Sequence, residues 1–371
     1  KWLETGAMLL DPDLQLYAGR QYIRDEKNIF GVFADSCPDR WGRRLMNRRE
    51  ELRARTASEK PRKLFDSDYL LGVYDKARMG GLRFKTELNG EFLSDDKEYA
   101  TPSWTSLREL EQAAVAFEND DTGLGEKWLK QLLAPGSSLG GARPKASVLA
   151  PDGSLWIAKF PSKHDDIDSG AWEMVAHELA SMCGLNVPEA KAEKFSKLGT
   201  TYLVKRFDRN HEQRIHFSSA MTMLGKTDGA NGVDGSSYLE IVSFLRANGA
   251  RPKHIEELWK RIVFSMAISN TDDHFRNHGF VLSEKGWILS PLYDVNPDIY
   301  GEYLSLNVDD NNSSIDFELA LEAAPYYGME KKKALEVVKS TKNIINSNWR
   351  ELAKKYNISR GEIERMVPAF Q

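Results

Sequence analysis

The chain has 371 residues, of which 41% are hydrophobic and 29% charged, with a formal net charge of −4 and two cysteines. This length suits two to three domains, and the composition excludes an intrinsically disordered chain. Two cysteines exclude a disulfide framework and lack the spacing of a metal site, so we expect free thiols in a reducing compartment. The slightly acidic balance gives no global electrostatic reason to bind nucleic acid.

No apolar run approaches the roughly 20 residues that span a membrane. The first residues also lack the charged lead and apolar stretch of a signal peptide. We therefore expect a cytoplasmic protein with no membrane partner. Because the chain does not begin with Met, we expect that a few residues or a small segment precede Lys1.

The first hundred residues combine short apolar runs with turn signals, which predicts a small N-terminal α/β domain over 1–100. The runs at 31–33, 69–74 and 82–84 are its candidate strands. Asp39 is expected to open a helix that continues through the charged run 48–63. That run is most simply a solvated helix face, and a nucleic-acid contact is the rarer alternative.

A second region, 101–210, follows a polar stretch that resembles a linker. It begins with a helix over 104–117 and contains a glycine loop that leads into a hairpin with a Pro-Asp-Gly turn at 151–153. A helix that ends at Gly184 and a strand over 202–207 complete it.

Helices dominate the third region, 211–371. The clearest covers 254–269, where apolar residues recur at helical spacing, and a polar loop follows it in the sequence. A second hairpin pairs 280–282 with 287–289. The predicted fold class is therefore α/β (α+β), with a largely helical C-terminal part.

The glycine loop before the first hairpin is a candidate phosphate-binding loop, because glycines let backbone amides approach an anion closely. Its candidate contacts are Ser138, Leu139, Gly140, Gly141 and Lys145. Taken alone, glycines in a loop more often make a tight turn.

Lys159 ends the second strand of the hairpin within an apolar run, where a lysine head points either inward to a ligand or outward to water. Glu173 opens the following helix, and such a pair would fix the ammonium on the phosphates of ATP. Glu178 is the second choice for this partner. Viewed alone, Glu173 is equally well explained as an acid that complements the helix N-terminus.

The strongest signal is the spacing of Asp272, Asn277 and Asp294. An Asp followed five residues later by an Asn, with a hairpin leading to a second Asp, is the order of a kinase catalytic loop and its metal ligand. Asp272 is then the catalytic base, while Asn277 and Asp294 bind a metal. Oxygen ligands without a thiolate cluster suit Mg²⁺.

Simpler explanations exist for each residue of this set, such as a helix cap for Asp272 or a turn for Asn277. His274 is either a core histidine that packs the loop or a nucleotide contact, and the core role is favoured. A metal-dependent hydrolase is a further alternative, since Asp272, Asp273 and Asp294 with His274 could hold two metals. That alternative leaves the glycine loop and Lys159 unexplained.

Several motifs of this chain occur together in one known family. They lie at residues 39–42, 78–84, 138–145, 184–188, 204–209, 270–277 and 293–294. Together they resemble the HipA family of serine/threonine kinases, the toxins of bacterial type II toxin–antitoxin pairs.

The resemblance implies an N-terminal α/β domain packed on a two-lobed, protein-kinase-like domain. ATP would lie between the lobes near the hinge strand 204–207, so Lys205 and Phe207 are expected nucleotide contacts, with Mg²⁺ as the second cofactor. Family members autophosphorylate a serine of the glycine loop, which corresponds to Ser138, and this modification expels the loop from the nucleotide site.

The resemblance also implies partners. Family substrates are typically aminoacyl-tRNA synthetases, and a small helix-turn-helix antitoxin (HipB-like) binds the kinase and DNA, so DNA contact is expected mainly through the antitoxin. Two features depart from the family. Asp273 stands where a small residue is common, and is expected to alter the acceptor site. The N-terminal segment lacks the first strands that are usual in the family.

The competing hypothesis is a binding module that keeps the kinase fold without activity and acts with an antitoxin as a DNA-bound repressor. Its contact surface would be the charged run 48–63. The complete set of Lys159, Asp272, Asn277 and Asp294 favours the active kinase.

Overall fold

The structure is a computed structural model. It describes residues 9–15, 19–24, 27–94, 101–119, 132, 141–211 and 213–370. The chain divides into two compact units, which we call the sheet unit (Ile23–Gly170 and Ala190–His216) and the helical unit (Lys1–Tyr22, Ala171–Glu189 and Phe217–Gln371). This division differs from the three predicted domains, 1–100, 101–210 and 211–371, whose boundaries stay a prediction.

The sheet unit contains four described α-helices and a four-stranded antiparallel sheet. The helices are α1 (Gly31–Ala34), α2 (Arg40–Thr56), α3 (Asp66–Leu71) and α4 (Leu107–Glu118). The sheet consists of β1 (Lys145–Leu149), β2 (Leu155–Lys159), β3 (Ala190–Glu193) and β4 (Thr201–Lys205), in the order β1-β2-β4-β3. A short ribbon of β5 (Arg209–Asn210) and β6 (Gln213–Arg214) follows. The first predicted hairpin is thus confirmed.

The core of the sheet unit joins the N-terminal helices to the sheet. Trp41 and Leu45 of α2, Leu110 of α4 and Trp156 of β2 are buried in one apolar cluster. The Trp41 indole also donates a hydrogen bond of 3.1 Å to the carbonyl of Lys145. Burial of such large side chains is the main favourable contribution to folding, at about 1.5–3 kcal/mol for each.

The N-terminal segment corrects one prediction. Among its described residues, 9–15, 19–24 and 27–94, there are helices and no strand, so the structure does not show the expected small α/β domain. The runs at 31–33 and 69–71 are helical, and 82–84 lies outside any assigned helix or strand. Residues 69–71 are helical because they belong to α3. The Asp68 carboxylate accepts a 2.9 Å hydrogen bond from the Phe65 amide and so stabilises the first turn of this helix.

Helix α2 begins where the sequence predicts, because the Asp39 carboxylate accepts a 2.8 Å hydrogen bond from the Gly42 amide. It ends at Thr56 rather than continuing to residue 63. Ser58 has a φ of 56°, which is a left-handed conformation that an α-helix does not accept.

Several residues of the motifs at 78–84 and 204–209 form buried hydrogen bonds that stabilise the sheet unit. The Arg206 guanidinium is buried, lies 2.7 Å from an oxygen of Asp208, and donates to the carbonyl of Ala77 at 2.5 Å. Asp208 accepts a further 2.8 Å bond from the Gly80 amide. Arg78 is fully buried and donates 2.7 Å to the carbonyl of Leu70. These bonds attach the segment around residue 78 to the chain after β4.

The helical unit contains the remaining described helices and a three-stranded antiparallel sheet. Its helices are α5 (Ser169–Met182, within this unit from Ala171), α6 (Ala220–Met223), α7 (Tyr238–Ala247), α8 (Pro252–Ala267), α9 (Phe317–Ala323), α10 (Lys331–Lys355) and α11 (Arg360–Arg365). Its strands are β7 (Phe217–Ser219), β8 (Gly279–Ser283) and β9 (Gly286–Leu289), in that order. The second predicted hairpin is thus confirmed.

Helix α8 is the central element of this unit. Pro252 occupies its first turn, where the missing amide hydrogen costs nothing. Leu258, Trp259 and Ile262 are fully buried, and the Trp259 indole donates 2.9 Å to the carbonyl of Ala320 in α9. None of the helices in the described part of the chain is both long and apolar enough to cross a bilayer.

Candidate active site

The polar loop after α8 begins with a sharp turn. Ser269 adopts a φ of 50°, and the amide of Asn270 donates 2.8 Å to the carbonyl of Ser265, which closes the helix. The loop then runs to β8, which begins at Gly279. We call residues 270–278 the catalytic loop. It stands between the central helix and a paired strand, so both of its ends are fixed by regular structure.

Asp272 points out of this loop, and its side chain is 80% exposed. Its Oδ1 lies 3.4 Å from Nε2 of His274. Although the side chain is exposed, the surrounding protein removes part of the hydration of the carboxylate, and this loss together with the negative charges of Asp294 and Asp273 raises the pKa of Asp272, while His274 opposes the rise. The loop thus presents an accessible carboxylate beside other acids, which is suited to accepting a proton.

Asn277 is buried and fixes the shape of the loop. Its side-chain nitrogen donates a 2.6 Å hydrogen bond to the backbone carbonyl of Asp272. This bond folds the backbone between Asp272 and Asn277 back on itself. The amide nitrogen makes this bond, so the amide oxygen is the atom of Asn277 that suits a hard cation.

Asp294 is held close to the catalytic loop. The hydroxyl of its neighbour Tyr293 donates 2.8 Å to the carbonyl of Arg276, beside Asn277. Asp294 has a φ of 56°, a left-handed conformation that few residues other than Gly, Asn and Asp adopt readily. Such backbone strain is concentrated at functional sites. The structure therefore brings Asp272, Asn277 and Asp294 together.

Asp273 points the opposite way from Asp272, into the core. Its carboxylate accepts hydrogen bonds from the hydroxyls of Tyr238, at 2.9 Å, and Ser265, at 3.1 Å, and lies 2.7 Å from Nε2 of His278. Burial by itself raises the pKa of Asp273, but His278 and the two hydroxyls outweigh burial and lower it. Asp273 is thus an internal support of the loop, not a residue of the acceptor surface.

His274 is half-buried, with 36% of its side chain exposed. The fully buried position that the sequence favoured for it is occupied by His278 instead. No sequence signal distinguished the two histidines, because the direction of a side chain in an irregular loop follows from backbone angles that spacing does not reveal.

The segment after Asp294 supports the catalytic loop from a second side. Thr271 donates a 2.8 Å hydrogen bond to Asp298, and Ser305 donates 2.7 Å to the carbonyl of Thr271. Gly301 lies directly against this threonine, since a Cβ built on it would stand 1.9 Å from the Thr271 methyl carbon. No spacing or motif in the sequence indicates that these residues support the loop.

Replacing Gly301 with Ala is expected to displace Thr271 and, with it, Asp272. Because small displacements of a catalytic group strongly reduce catalysis, we expect a loss of about 10²-fold in turnover. Gly361→Ala is the matched control, since a Cβ at that glycine would meet no atom within 4 Å. Steady-state rates of the two variants test this prediction, and equal rates would show that the close approach of Gly301 is unimportant.

The sheet unit carries the predicted phosphate and nucleotide contacts. Lys159 is buried at the end of β2, with its ammonium 5.9 Å from the ring centre of Tyr202. Lys205 lies 4.0 Å from Asp152, and Phe207 is half-buried. The predicted contacts Ser138, Leu139 and Gly140 lie outside the described residues.

Lys145 has a structural partner. Its ammonium lies 2.8 Å from the buried carboxylate of Asp39, and 3.3 Å from a Cβ built on Gly141, whose φ is 90°. Burial raises the pKa of Asp39, although Lys145 opposes the rise. Lys145 therefore fixes the end of the glycine loop against α2.

Glu173 is buried in the first half of α5. The alternative candidate, Glu178, has a carboxylate that binds Lys355 at 2.6 Å and also accepts a hydrogen bond from Tyr356. Because Glu178 joins α5 to the end of α10, it serves the packing of the helical unit.

The geometry disagrees with two other kinds of site. Asp273, one of the carboxylates that the two-metal hydrolase would need, is fully engaged in the core by Tyr238, Ser265 and His278. This arrangement disfavours the two-metal hydrolase. Residues 136–140 read Gly-Ser-Ser-Leu-Gly, which fits the serine-hydrolase pattern, but that motif joins a strand to a helix and here the next described element is β1.

Comparison with known proteins identifies the family. A family model described as HipA-like C-terminal domain matches residues 137–349, which is more than half of the chain. The chain belongs to this family, and the suspected resemblance is confirmed.

Two curated relatives match part of the chain. A putative kinase, Y4dM of Sinorhizobium fredii, is 26% identical over 203 residues, 51% of this chain and 44% of the relative. The serine/threonine-protein kinase toxin HipA of Shewanella oneidensis is 24% identical over 241 residues, 58% and 52% of the two chains. The chain thus spans about half the length of the curated relatives it matches.

A solved structure supports the fold. The chain is similar to one in the complex of Shewanella oneidensis HipA, HipB and operator DNA, with a TM-score of 0.52 and 19% identity over 62% of each chain. At this identity the similarity concerns the fold alone. The mixed α/β architecture is therefore shared with a protein of this toxin–antitoxin system.

Proposed function

We propose that the protein is an ATP-dependent serine/threonine protein kinase of the HipA type. The observation that carries the proposal is the geometry of the catalytic loop. It holds an exposed Asp272 and a buried Asn277 by one hydrogen bond, with Asp294 attached beside them through Tyr293. Distant homology to the Shewanella HipA kinase supports the same activity.

Each residue of the loop has a role in this reaction. Asp272 orients the acceptor hydroxyl and takes its proton as the new bond to the γ-phosphorus forms and ADP leaves. The amide oxygen of Asn277 and the carboxylate of Asp294 are hard donors that fit Mg²⁺. Mg²⁺ held by these residues would neutralise the charge of the phosphates.

Residues of both units are assigned to nucleotide binding in this proposal, with Lys159, Lys205 and Phe207 in the sheet unit and Glu173 and His274 in the helical unit. Lys159, buried at the end of β2, is assigned to the α- and β-phosphates, and Glu173 to the support of such a lysine. Lys205, Phe207 and His274 are assigned to the nucleotide. The glycine loop covers the phosphates, and Ser138 is its autophosphorylation site, where a new dianion would repel ATP.

The partners are also proposals. The similar Shewanella HipA was solved with HipB and operator DNA. We propose a HipB-like helix-turn-helix antitoxin as the partner of this chain, DNA contact mainly through it, and an aminoacyl-tRNA synthetase as substrate. The competing repressor is less well supported, because at least two basic side chains of the run 48–63 are paired with acids. Arg53 binds Glu50 at 2.8 Å, and Arg62 binds Asp68 at 2.9 Å.

Replacing Asp294 with Asn tests the metal site with little change in backbone strain, because Asn also accepts the left-handed conformation. Transfer of γ-labelled phosphate is expected to fall by about 10²-fold or more at low Mg²⁺, and to recover partly at high Mg²⁺. Asp298→Asn is the control, as its carboxylate bonds Thr271 instead. If both variants show the wild-type Mg²⁺ dependence, Asp294 is not a metal ligand.

A further inference from the structure

Asp294 lies in a described segment, residues 290–298, that belongs to no helix or strand. Without a regular ladder, the backbone groups of this segment must find their hydrogen-bond partners elsewhere. We call residues 290–294 the aspartate segment. Its first residue, Ser290, is fully buried, and Pro291 restricts the backbone after it. The contacts that hold this segment therefore decide where the Asp294 carboxylate lies.

A buried arginine of α8 binds the start of the aspartate segment. The Arg261 guanidinium donates a 2.7 Å hydrogen bond to the carbonyl of Ser290, and only 2% of its side chain is exposed. One turn earlier in α8, Glu257 accepts 3.2 Å bonds from two nitrogens of the same guanidinium. Burial lowers the pKa of Arg261, and the negative charge of Glu257 opposes this change. The rigid fork of N–H groups allows one arginine to bind both partners.

The same pair binds the motif at 184–188, which the proposed function leaves without a role. Oε1 of Glu257 accepts a 2.9 Å hydrogen bond from the Asn186 amide. The Asn186 carbonyl in turn accepts a 2.8 Å bond from the amide of Leu292, two residues before Asp294. The motif therefore connects Glu257 to the aspartate segment.

These links close a ring. Its members, joined by hydrogen bonds and by the chain between the second and the third, are Arg261, Ser290, Leu292, Asn186 and Glu257. Asp294 lies two residues beyond the ring and has a left-handed backbone, with a φ of 56°. Such a strained conformation persists only where the surrounding contacts impose it. The ring supplies these contacts to the part of the segment that precedes Asp294.

We propose that Arg261 and Glu257 are positioning residues that hold the Asp294 carboxylate where it binds the divalent metal. This inference rests on the proposed kinase function and adds a support for Asp294 from outside the catalytic loop. Both side chains act through the backbone of the aspartate segment and not on the metal itself. Residues that orient a metal ligand in this way typically change metal affinity by about 10–100-fold when they are replaced.

Metal binding tests the proposal independently of phosphoryl transfer. Mn²⁺ is titrated into the full chain with an unreactive ATP analogue, and bound metal is measured by electron paramagnetic resonance. Arg261→Lys keeps the positive charge, but one ammonium does not reproduce the fork that reaches both Glu257 and Ser290. We expect this variant to bind Mn²⁺ about tenfold more weakly. Glu257→Gln keeps an oxygen acceptor for the Asn186 amide, so its loss should be smaller.

Trp259→Phe is the matched control, because it removes a buried hydrogen bond of the same helix that goes to Ala320 instead. Its free energy of unfolding should fall, while its Mn²⁺ affinity should equal that of the wild type. Hydrogen exchange provides a second measurement. The Leu292 amide should exchange about tenfold faster in Arg261→Lys and at the wild-type rate in Trp259→Phe. If Arg261→Lys does not fold, Glu257→Gln is compared with the control by the same two measurements.

The outcomes separate the two proposals. Equal Mn²⁺ affinity of Arg261→Lys and Trp259→Phe overturns the positioning role, and so does weaker binding without faster exchange at Leu292. A wild-type protein that binds no Mn²⁺ with the analogue also overturns it. Selective loss of Mn²⁺ binding in Arg261→Lys, in a protein whose wild type transfers no phosphate, supports the positioning role and counts against the kinase function.

Discussion

Replacing Asp272 with Ala is expected to lower the rate of phosphoryl transfer by about 10²–10⁴-fold, the usual contribution of a positioned general base. The side chain is 80% exposed, and the described hydrogen bond to Asn277 uses its backbone carbonyl, which the variant keeps. The free energy of unfolding should therefore change by no more than about 0.5 kcal/mol. Initial rates with MgATP, together with nucleotide affinity and urea unfolding, separate these effects.

Glu336→Ala on α10 is the control for this variant, because it also removes an exposed carboxylate of the helical unit. It should transfer phosphate at close to the wild-type rate. A rate for Asp272→Ala within about threefold of that control, far short of a general-base effect, would remove Asp272 from the mechanism.

Replacing Asp273 with Ala is expected to have the largest effect on stability. The variant leaves Tyr238, Ser265 and His278 buried without their common partner. Removing one member of a buried charged network costs about 3–5 kcal/mol. The free energy of unfolding in urea should fall by that amount, and phosphate transfer should fall as well, because the loop loses its internal support.

Asp273→Asn distinguishes the lost charge from lost packing. It fills the same volume and can still accept hydrogen bonds from the two hydroxyls, so a smaller loss of stability is expected than for Ala. If Asp273→Ala is as stable as the exposed-site control Glu336→Ala, the buried network does not support the loop.

Elements with strong periodicity could be predicted from the sequence. The apolar spacing of α8 and the turn signals of both hairpins each indicate one local structure, and the structure contains all three. Asp39 and Gly184 were also read correctly as helix start and stop, because capping depends on a few adjacent residues.

Short apolar runs could not be assigned in the same way. Tyr69, Leu70 and Leu71 read as a strand, since three adjacent apolar residues fit either structure and only the Asp68 capping bond decides for the helix. The backbone groups that Arg206 and Asp208 bind, at Ala77 and Gly80, lie more than one hundred residues earlier in the chain, and spacing does not reveal such tertiary contacts.

The sequence indicated which residues form the candidate site, but it did not indicate which of their side chains are buried. The spacing of Asp272, Asn277 and Asp294 pointed to one constellation, and the structure brings these residues together. The spacing did not indicate that the Asp273 side chain points inward while that of Asp272 points outward. In an irregular loop, the direction of each side chain depends on the backbone angles. The roles of the site residues stay predictions.

The most direct test of the central claim is mass spectrometry of the protein before and after incubation with MgATP. The wild-type protein is expected to gain one phosphate on the glycine loop, at Ser138, and the Asp272→Ala variant is expected to gain none. Equal modification of the two proteins, or an unmodified wild-type protein under conditions where it binds MgATP, would contradict a self-phosphorylating kinase.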